Sequence, residues 1–335
     1  MNSELIVGRS AFEVLADEWD SLAARGMTDT PFQTLAYQQA WWTHLQPADS
    51  ELLTVATRHD STELAGIGCF YHKDGRLCFN GSLEESDYLD LIAPGEAAAQ
   101  VWESVVDCLE TVERPQWTTL VLDNVPAASP TRSVLPDLAV RRNLTYREHL
   151  VEVCPIVSLP PTFDAYLDSL ESKQRRELSR KLRRAGGAEA TCRVVESRDD
   201  VADEVDRFLA LLQKSTFEKR DWLNAERRAF FHAVALLAQS AGTLQLMFIA
   251  IEGTEAAALF NFDYKGRIWV YNSGLDPAAY SAVSPGVVLT AMAIELAISL
   301  GRKEFDFLRG DEEYKYRFGA TDSRIYRLEL ERQQG

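Results

Sequence analysis

The sequence predicts an α/β protein with a mixed sheet, and three observations between residues 244 and 320 carry that expectation. Three short apolar runs come first, residues 244–251, 256–263 and 268–273. Tight polar connections separate them, Glu252-Gly253-Thr254-Glu255 and Tyr264-Lys265-Gly266-Arg267, which are the turn signals of an antiparallel meander. A helix over residues 287–300 follows, opened by Ser284-Pro285-Gly286 and closed by Gly301. A fourth strand, residues 304–308, then leads into Arg309-Gly310-Asp311-Glu312-Glu313-Tyr314-Lys315-Tyr316-Arg317-Phe318-Gly319.

Each element has a local reason. The Ser-Pro-Gly turn is expected to leave the N–H groups of Gly286, Val287 and Val288 without intrahelical acceptors at the positive end of the helix dipole. Such an end can hold a phosphate or pyrophosphate; a plain cap is the other reading.

The order meander, glycine-containing turn, helix, strand resembles the core of the GNAT acyltransferases. More narrowly, Tyr271-Asn272-Ser273-Gly274-Leu275-Asp276-Pro277, Ser284-Pro285-Gly286, and Phe305-Asp306-Phe307-Leu308 with Gly310 and Tyr314-Lys315 are similar to the CelD-like GNAT acetyltransferases. Those resemble in turn the Fem-type aminoacyltransferases of peptidoglycan cross-bridges. The resemblance covers the chain from about Leu159 to its end. It implies the acyl-CoA N-acyltransferase fold, with acetyl-CoA as co-substrate and its pantetheine between two splayed strands. It also implies two GNAT-like halves: residues 1–155, degenerate and shaping the acceptor cleft, and residues 156–335, the acyltransferase domain. The cofactor candidates are then Tyr271, Asn272, Ser273, Ser284, Pro285, Gly286, Val287 and Val288. One departure stands out: the family's Arg/Gln-x-x-Gly-x-Gly/Ala turn keeps one glycine here, in residues 281–286. The sequence itself shows no clear internal repeat.

With 335 residues and 46% hydrophobic content, the chain can bury a large core, and its length favours two domains. No apolar run is long enough for a membrane-spanning helix. The start, Met1-Asn2-Ser3-Glu4, lacks the pattern of a secretory signal. Cys69, Cys78, Cys108, Cys154 and Cys192 are scattered and lack CxxC spacing, so they read as reduced thiols of a cytoplasmic protein. Residues 1–150 carry 10 Lys and Arg against 23 Asp and Glu, and residues 151–335 carry 25 against 28. The acidic front argues against DNA and against an anionic membrane as general partners.

In the first half, residues 10–24 read as one amphipathic helix through Phe12, Leu15, Trp19 and Leu22. Pro31-Phe32-Gln33 leads into a helix over residues 34–45 with Tyr37, Trp41 and Trp42. An aromatic core face is one reading. The family pattern implies the other, that Phe32, Gln33, Tyr37 and Trp41 line the acceptor cleft. Strands are expected at 52–58, 64–71, 76–80, 87–91 and 118–122, a helix at 97–112, and an exit through 143–150.

Pro160-Pro161 marks a boundary, and Thr162 is expected to cap a helix over residues 163–185. Its stretch 173–184 holds seven positive charges against one negative. A solvated face is one reading. An anion site for a phosphorylated substrate or the CoA 3′-phosphate is the other, with Arg175 and Arg176 as donors. Binding of tRNA is disfavoured because the run lacks aromatic residues for stacking. Helices over 199–219 and 226–241 follow, and Arg220 and Asp221 between them are within reach of a cleft.

Amine attack on a thioester needs a free amine, stabilisation of the oxyanion and a proton for the leaving thiolate. Asp306, between Phe305 and Phe307 on a core strand, is a candidate base or a structural carboxylate held by backbone amides. Tyr314 is the candidate acid, and Lys315 the candidate ligand of the oxyanion or of an acceptor carboxylate. The five histidines have no metal-ligand spacing, and neither Gly-x-Ser-x-Gly nor a P-loop occurs.

The expected function is acyl transfer, acetyl first, from acyl-CoA to an amine of a small-molecule or envelope-precursor acceptor, without a metal. Aminoacyl transfer from tRNA and a non-catalytic acyl-CoA-binding scaffold are the alternatives.

Overall fold

The structure is a computed structural model and describes residues 1–60, 63–81, 84–111, 116–197 and 199–333. Strands run in chain order as β1 (Asn2–Val7), β2 (Glu51–His59), β3 (Glu63–Lys73), β4 (Arg76–Phe79) and β5 (Thr119–Pro126). Then come β6 (Leu144–Ser158), β7 (Thr191–Val194), β8 (Leu244–Ile251), β9 (Thr254–Tyr264), β10 (Arg267–Leu275), β11 (Glu304–Asp306) and β12 (Thr321–Arg332). The chain divides into two compact units. One comprises Met1–Glu152 with Ser323–Gly335, and the other Val153–Asp322.

In the first unit the strand order is β1-β2-β3-β4-β5-β12. β4 and β5 are parallel, and the other pairs are antiparallel. Between β4 and β5 the chain passes through the helix Ala98–Thr111, whose Val101, Trp102, Val105, Val106 and Leu109 are buried. Phe70 stacks on Phe79 at 5.4 Å, and both rings meet Trp102 at 6.5 Å. Residues 87–91 are not a strand; they form a loop that touches the sheet through an isolated bridge between Ile67 and Ile92. A fully buried carboxylate holds that loop: Asp90 accepts the hydroxyls of Thr28, Ser129 and Thr131 and the Leu91 amide. Burial pushes its pKa up, and those hydrogen bonds work against the push.

The second unit has the order β6-β11-β10-β9-β8-β7. Its hairpin turns carry positive φ at both central residues, Glu252 and Gly253, then Lys265 and Gly266. That is the turn that matches strand twist. β10 and β11 are parallel, joined by the helix Pro285–Ser299, and β11 pairs antiparallel with β6. This helix is apolar on most sides because it lies between the sheet and the helices Phe163–Ser169 and Ser172–Gly187. The opposite face of the sheet carries the helices Val201–Ser215 and Ala225–Ser240, with Phe208, Phe230, Phe231, Phe260, Phe262 and Tyr271 packed together.

Three helices expected as continuous are broken. Residues 10–24 form Ser10–Val14 and Ala16–Ala23. The basic helix stops at Ser169 because Leu170 and Glu171 are extended, and it restarts at Ser172. The 199–219 helix ends at Ser215, where extended Thr216 caps a new helix, Phe217–Trp222. Among the described residues no helix is long and apolar enough to cross a membrane, no cluster of His, Cys, Asp and Glu is placed to hold a metal, and no disulfide links the five cysteines.

Candidate active site

β10 and β11 share only three register pairs, ending at Trp269 and Asp306. β10 then runs on to Leu275, while the chain after β11 stays with β6. The Phe307 amide donates to the Pro155 carbonyl at 3.0 Å, and the Gly310 amide to Val153 at 3.0 Å. The two parallel strands therefore part. A cavity of about 410 Å³ opens between them.

The outer half of β10 stays paired with β9, and helices hold it where β11 no longer does. The Leu275 amide donates to Ser215 Oγ at 2.7 Å, and Lys214 pairs with Asp276 at 2.9 Å. Gly274 makes this possible. A Cβ there would lie 2.7 Å from the Leu212 backbone nitrogen, so any side chain would push the helix off the strand. β10 also slips register between Val270 and Asn272, a bulge that bends it near the parting point.

Two residues expected to do chemistry, Asp306 and Lys315, bond to the loop after β11. Asp306 is fully buried, and its Oδ1 accepts the amide of Leu308 at 2.8 Å. Leu308 is left-handed, φ 57°, so this carboxylate holds the turn that takes the chain away from β10. Asp306 does not line the cavity. Lys315, 3% exposed, donates from Nζ to the carbonyls of Leu308, Arg309 and Gly310 at 3.3, 2.6 and 3.1 Å. It also pairs with Glu312 at 2.9 Å. Its donors are thus committed to the loop rather than offered to a ligand.

Tyr314 does line the cavity, with its ring edge-on to Phe307 at 6.0 Å. It is 40% exposed, yet loss of water around its phenol and then the Glu312 charge raise its pKa above the ordinary tyrosine value. It stays protonated at neutral pH. Tyr314 and Val287 also border a smaller cavity, whose wall includes Gln174, Lys181, Arg317 and Phe318.

The remaining expected residues divide. Ser273, Ser284, Pro285, Gly286 and Val287 line the large cavity. Tyr271 points to the other face, into Phe231 and Phe262, and Val288 is buried in the core. The helix start is less open than expected. Val287 and Val288 both donate to the Ser284 carbonyl, at 3.0 and 3.1 Å. Ser284 itself is left-handed, φ 58°. The basic helix meets this turn through Arg184, whose Nη1 donates to the Ala282 carbonyl at 2.7 Å. Arg175 pairs with Asp168 at 2.6 Å, and Arg176 is exposed. Phe32, Gln33, Tyr37 and Trp41 are buried in the first unit: Phe32 lies edge-on to Tyr37, Trp41 stacks on Tyr71, and Gln33 Nε2 donates to the Asp90 carbonyl.

Sequence reasoning missed Lys219. Asn272 Oδ1 and the Ser273 carbonyl accept from its Nζ at 3.1 and 2.8 Å. Burial, joined by the Lys315 charge, lowers its pKa to about 8 against the opposing pull of Glu312. Its neighbours Arg220 and Asp221 pair with each other at the surface instead. Nothing in the short stretch Phe217-Glu218-Lys219-Arg220 marks one cation above the next.

Residues 172–316 match the family model of the acetyltransferase (GNAT) domain. No curated protein matches the chain. Among solved structures it is similar to FemX, with TM-score 0.69, 10% identity, and coverage of 98% of this chain and 97% of that one. L-PGS from Bacillus licheniformis gives TM-score 0.59 at 11% identity, covering 95% and 92%. A tandem GNAT protein from the clavulanic acid biosynthesis pathway gives 0.53 at 9% identity, covering both chains fully at 100%. The chain is therefore a mixed α/β protein whose residues 172–316 match a GNAT domain.

Proposed function

We propose that the chain transfers an acyl group, acetyl as first candidate, from a CoA thioester to an amine. The observation that carries this reading is the parting of β10 and β11, which leaves a slot of about 410 Å³ with a mostly small-residue and apolar wall. That volume lies within the roughly 300–1,000 Å³ common to small-molecule sites. The pantetheine arm would occupy the slot beside Ser273 and Gly274. Its phosphates would lie toward Gly286, where the helix dipole and the nearby Arg184 and Lys181 favour negative charge. Tyr314 would give the departing thiolate its proton, being a phenol on the cavity wall that is protonated at working pH. Asp306 and Lys315 would act by holding the loop that carries Phe307 and Tyr314.

A second reading, an aminoacyl donor carried on tRNA, is favoured by the exposed basic face of the helix Ser172–Gly187, which includes Lys173, Arg176 and Arg180. Thiol release from acetyl-CoA with a panel of primary amines separates the two. With a productive amine, Tyr314→Phe should lower turnover about 10²-fold while leaving acetyl-CoA affinity within about twofold. Unchanged turnover would remove Tyr314 as the acid. Release with no amine, together with binding of charged tRNA, would favour the second reading.

A further inference from the structure

We propose that Lys219 is the base that takes the proton from the attacking amine, an assignment that rests on the acyl-transfer reading above. The side chain leaves the short helix Phe217–Trp222 and, from behind the cavity wall, reaches the part of β10 that has lost its β11 partner. There its two hydrogen bonds go to acceptors only, Asn272 Oδ1 and the carbonyl of the cavity-lining Ser273. A neutral amine satisfies both with its two N–H bonds and keeps one lone pair. An ammonium has a third N–H to place, and among the described residues it forms no ion pair.

The surrounding charges oppose one another, and burial decides the direction. Glu312 and Lys315, on the loop that carries Tyr314, both act on Lys219, with opposite signs. Glu312 is itself paired with Lys315 at 2.9 Å, so it offers Lys219 little net attraction. Burial dominates and brings the group to about 8, close to working pH, where proton transfer by a lysine is efficient.

The step balances without a further reagent. The acceptor ammonium passes one proton to neutral Lys219, and its freed lone pair forms the N–C bond to the thioester carbonyl. The C–S bond breaks as Tyr314 protonates sulfur. The second N–H proton of the tetrahedral intermediate returns to the Tyr314 phenolate, and Lys219 releases its proton to solvent.

The test uses the full chain, acetyl-CoA and two amine probes of different basicity. Glycinamide represents amines that are partly protonated at neutral pH, and hydroxylamine is already unprotonated there. Lys219→Met should lose about 10²-fold or more in kcat with glycinamide and much less with hydroxylamine, with acetyl-CoA affinity within about threefold. Lys219→Arg should behave like Lys219→Met, because a guanidinium stays protonated. Equal losses with both probes would mean that Lys219 only positions β10 and would overturn the base assignment. Competitive labelling with acetic anhydride, read by mass spectrometry across pH, supplies a second arm. Lys219 should be half-reactive near pH 8; half-reactivity near 10.5 would overturn the assignment even if neither probe turns over. A wild-type chain that neither binds acetyl-CoA nor releases thiol removes the acyl-transfer reading and the base with it. Binding and turnover that persist in Lys219→Met remove the base alone.

Discussion

In the first unit β4 pairs in parallel with β5 at Arg76, Leu77 and Cys78; in the second, β10 pairs in parallel with β11 at Arg267, Ile268 and Trp269. Each parallel pair follows an antiparallel meander and is bridged by a helix. The difference lies beyond the third pair. β4 ends at Phe79, and the rings of Phe79, Phe70 and Trp102 fill the space against the helix. β10 continues past its last β11 partner, and the helix beside it presents Gly286, Val287 and Thr290 to an open slot. One strand order thus supports a packed core or a cavity, depending on whether large aromatics or small residues face the crossover helix. A cavity kept open needs its own supports, and here they are Gly274, Asp306 and Lys315.

The comparison can be broken from either side. Phe79→Ala in the packed unit should cost about 3–4 kcal/mol in denaturant unfolding, because it empties a fully packed site. Acetyl-CoA affinity should stay within about twofold; a parallel loss would show that the first unit contributes to the slot. Lys315→Met strips three carbonyls and one carboxylate of their donor and should cost about 2–3 kcal/mol. It should also weaken acetyl-CoA binding, since the loop bearing Phe307 and Tyr314 is released. Gly274→Ala should cost about 1–3 kcal/mol from the clash with the Leu212 backbone. Unchanged melting would mean that the helix Val201–Ser215 can shift freely, and β10 would lose its assigned support.

Asp306→Asn gives a finer test. The amide oxygen can still accept from Leu308, so stability should fall by less than about 1 kcal/mol and turnover should survive. Turnover that collapses while stability holds would return Asp306 to the role of base. A separate test concerns Lys219 and pH. Its folded pKa, about 8, lies below the ordinary 10.5, so between those values the unfolded chain binds more protons and stability rises with pH. Lys219→Met should flatten that rise, and its stability relative to wild type should be greatest below pH 8. Melting curves from pH 7 to 10.5 would show it, and an unchanged slope would deny that burial acts on Lys219.

Much of the second unit was legible in the sequence because its signals are local. The turns at Glu252-Gly253 and Lys265-Gly266 fix the meander, and Pro285 and Gly301 bracket the crossover helix. Elements defined by distant partners were not legible. β1 and β12 have polar faces and depend on β2 and β5 for their pairing. The helix Thr131–Arg142 was hidden by Pro136 inside it. The site was half legible. Ser273 and residues 284–287 announce themselves by turn chemistry, and Tyr314 by its motif. The slot itself is a missing strand pairing, which no residue encodes alone. The buried partners of Asp306, Lys315 and Lys219 lie at carbonyls and amides that a sequence does not display. Only the fold brings Asp306 and Lys315 to the loop after β11 and Lys219 against β10.

The most direct test of the central claim is calorimetric titration of the full chain with acetyl-CoA and free CoA, beside Gly286→Glu. A Cβ at Gly286 meets only Leu275 at 3.8 Å, so this variant should fold normally while placing a carboxylate at the helix start. The wild-type chain should bind both ligands with micromolar affinity, and Gly286→Glu should lose at least about 30-fold. Absence of binding to the wild-type chain, or equal affinity in the variant, would contradict the claim.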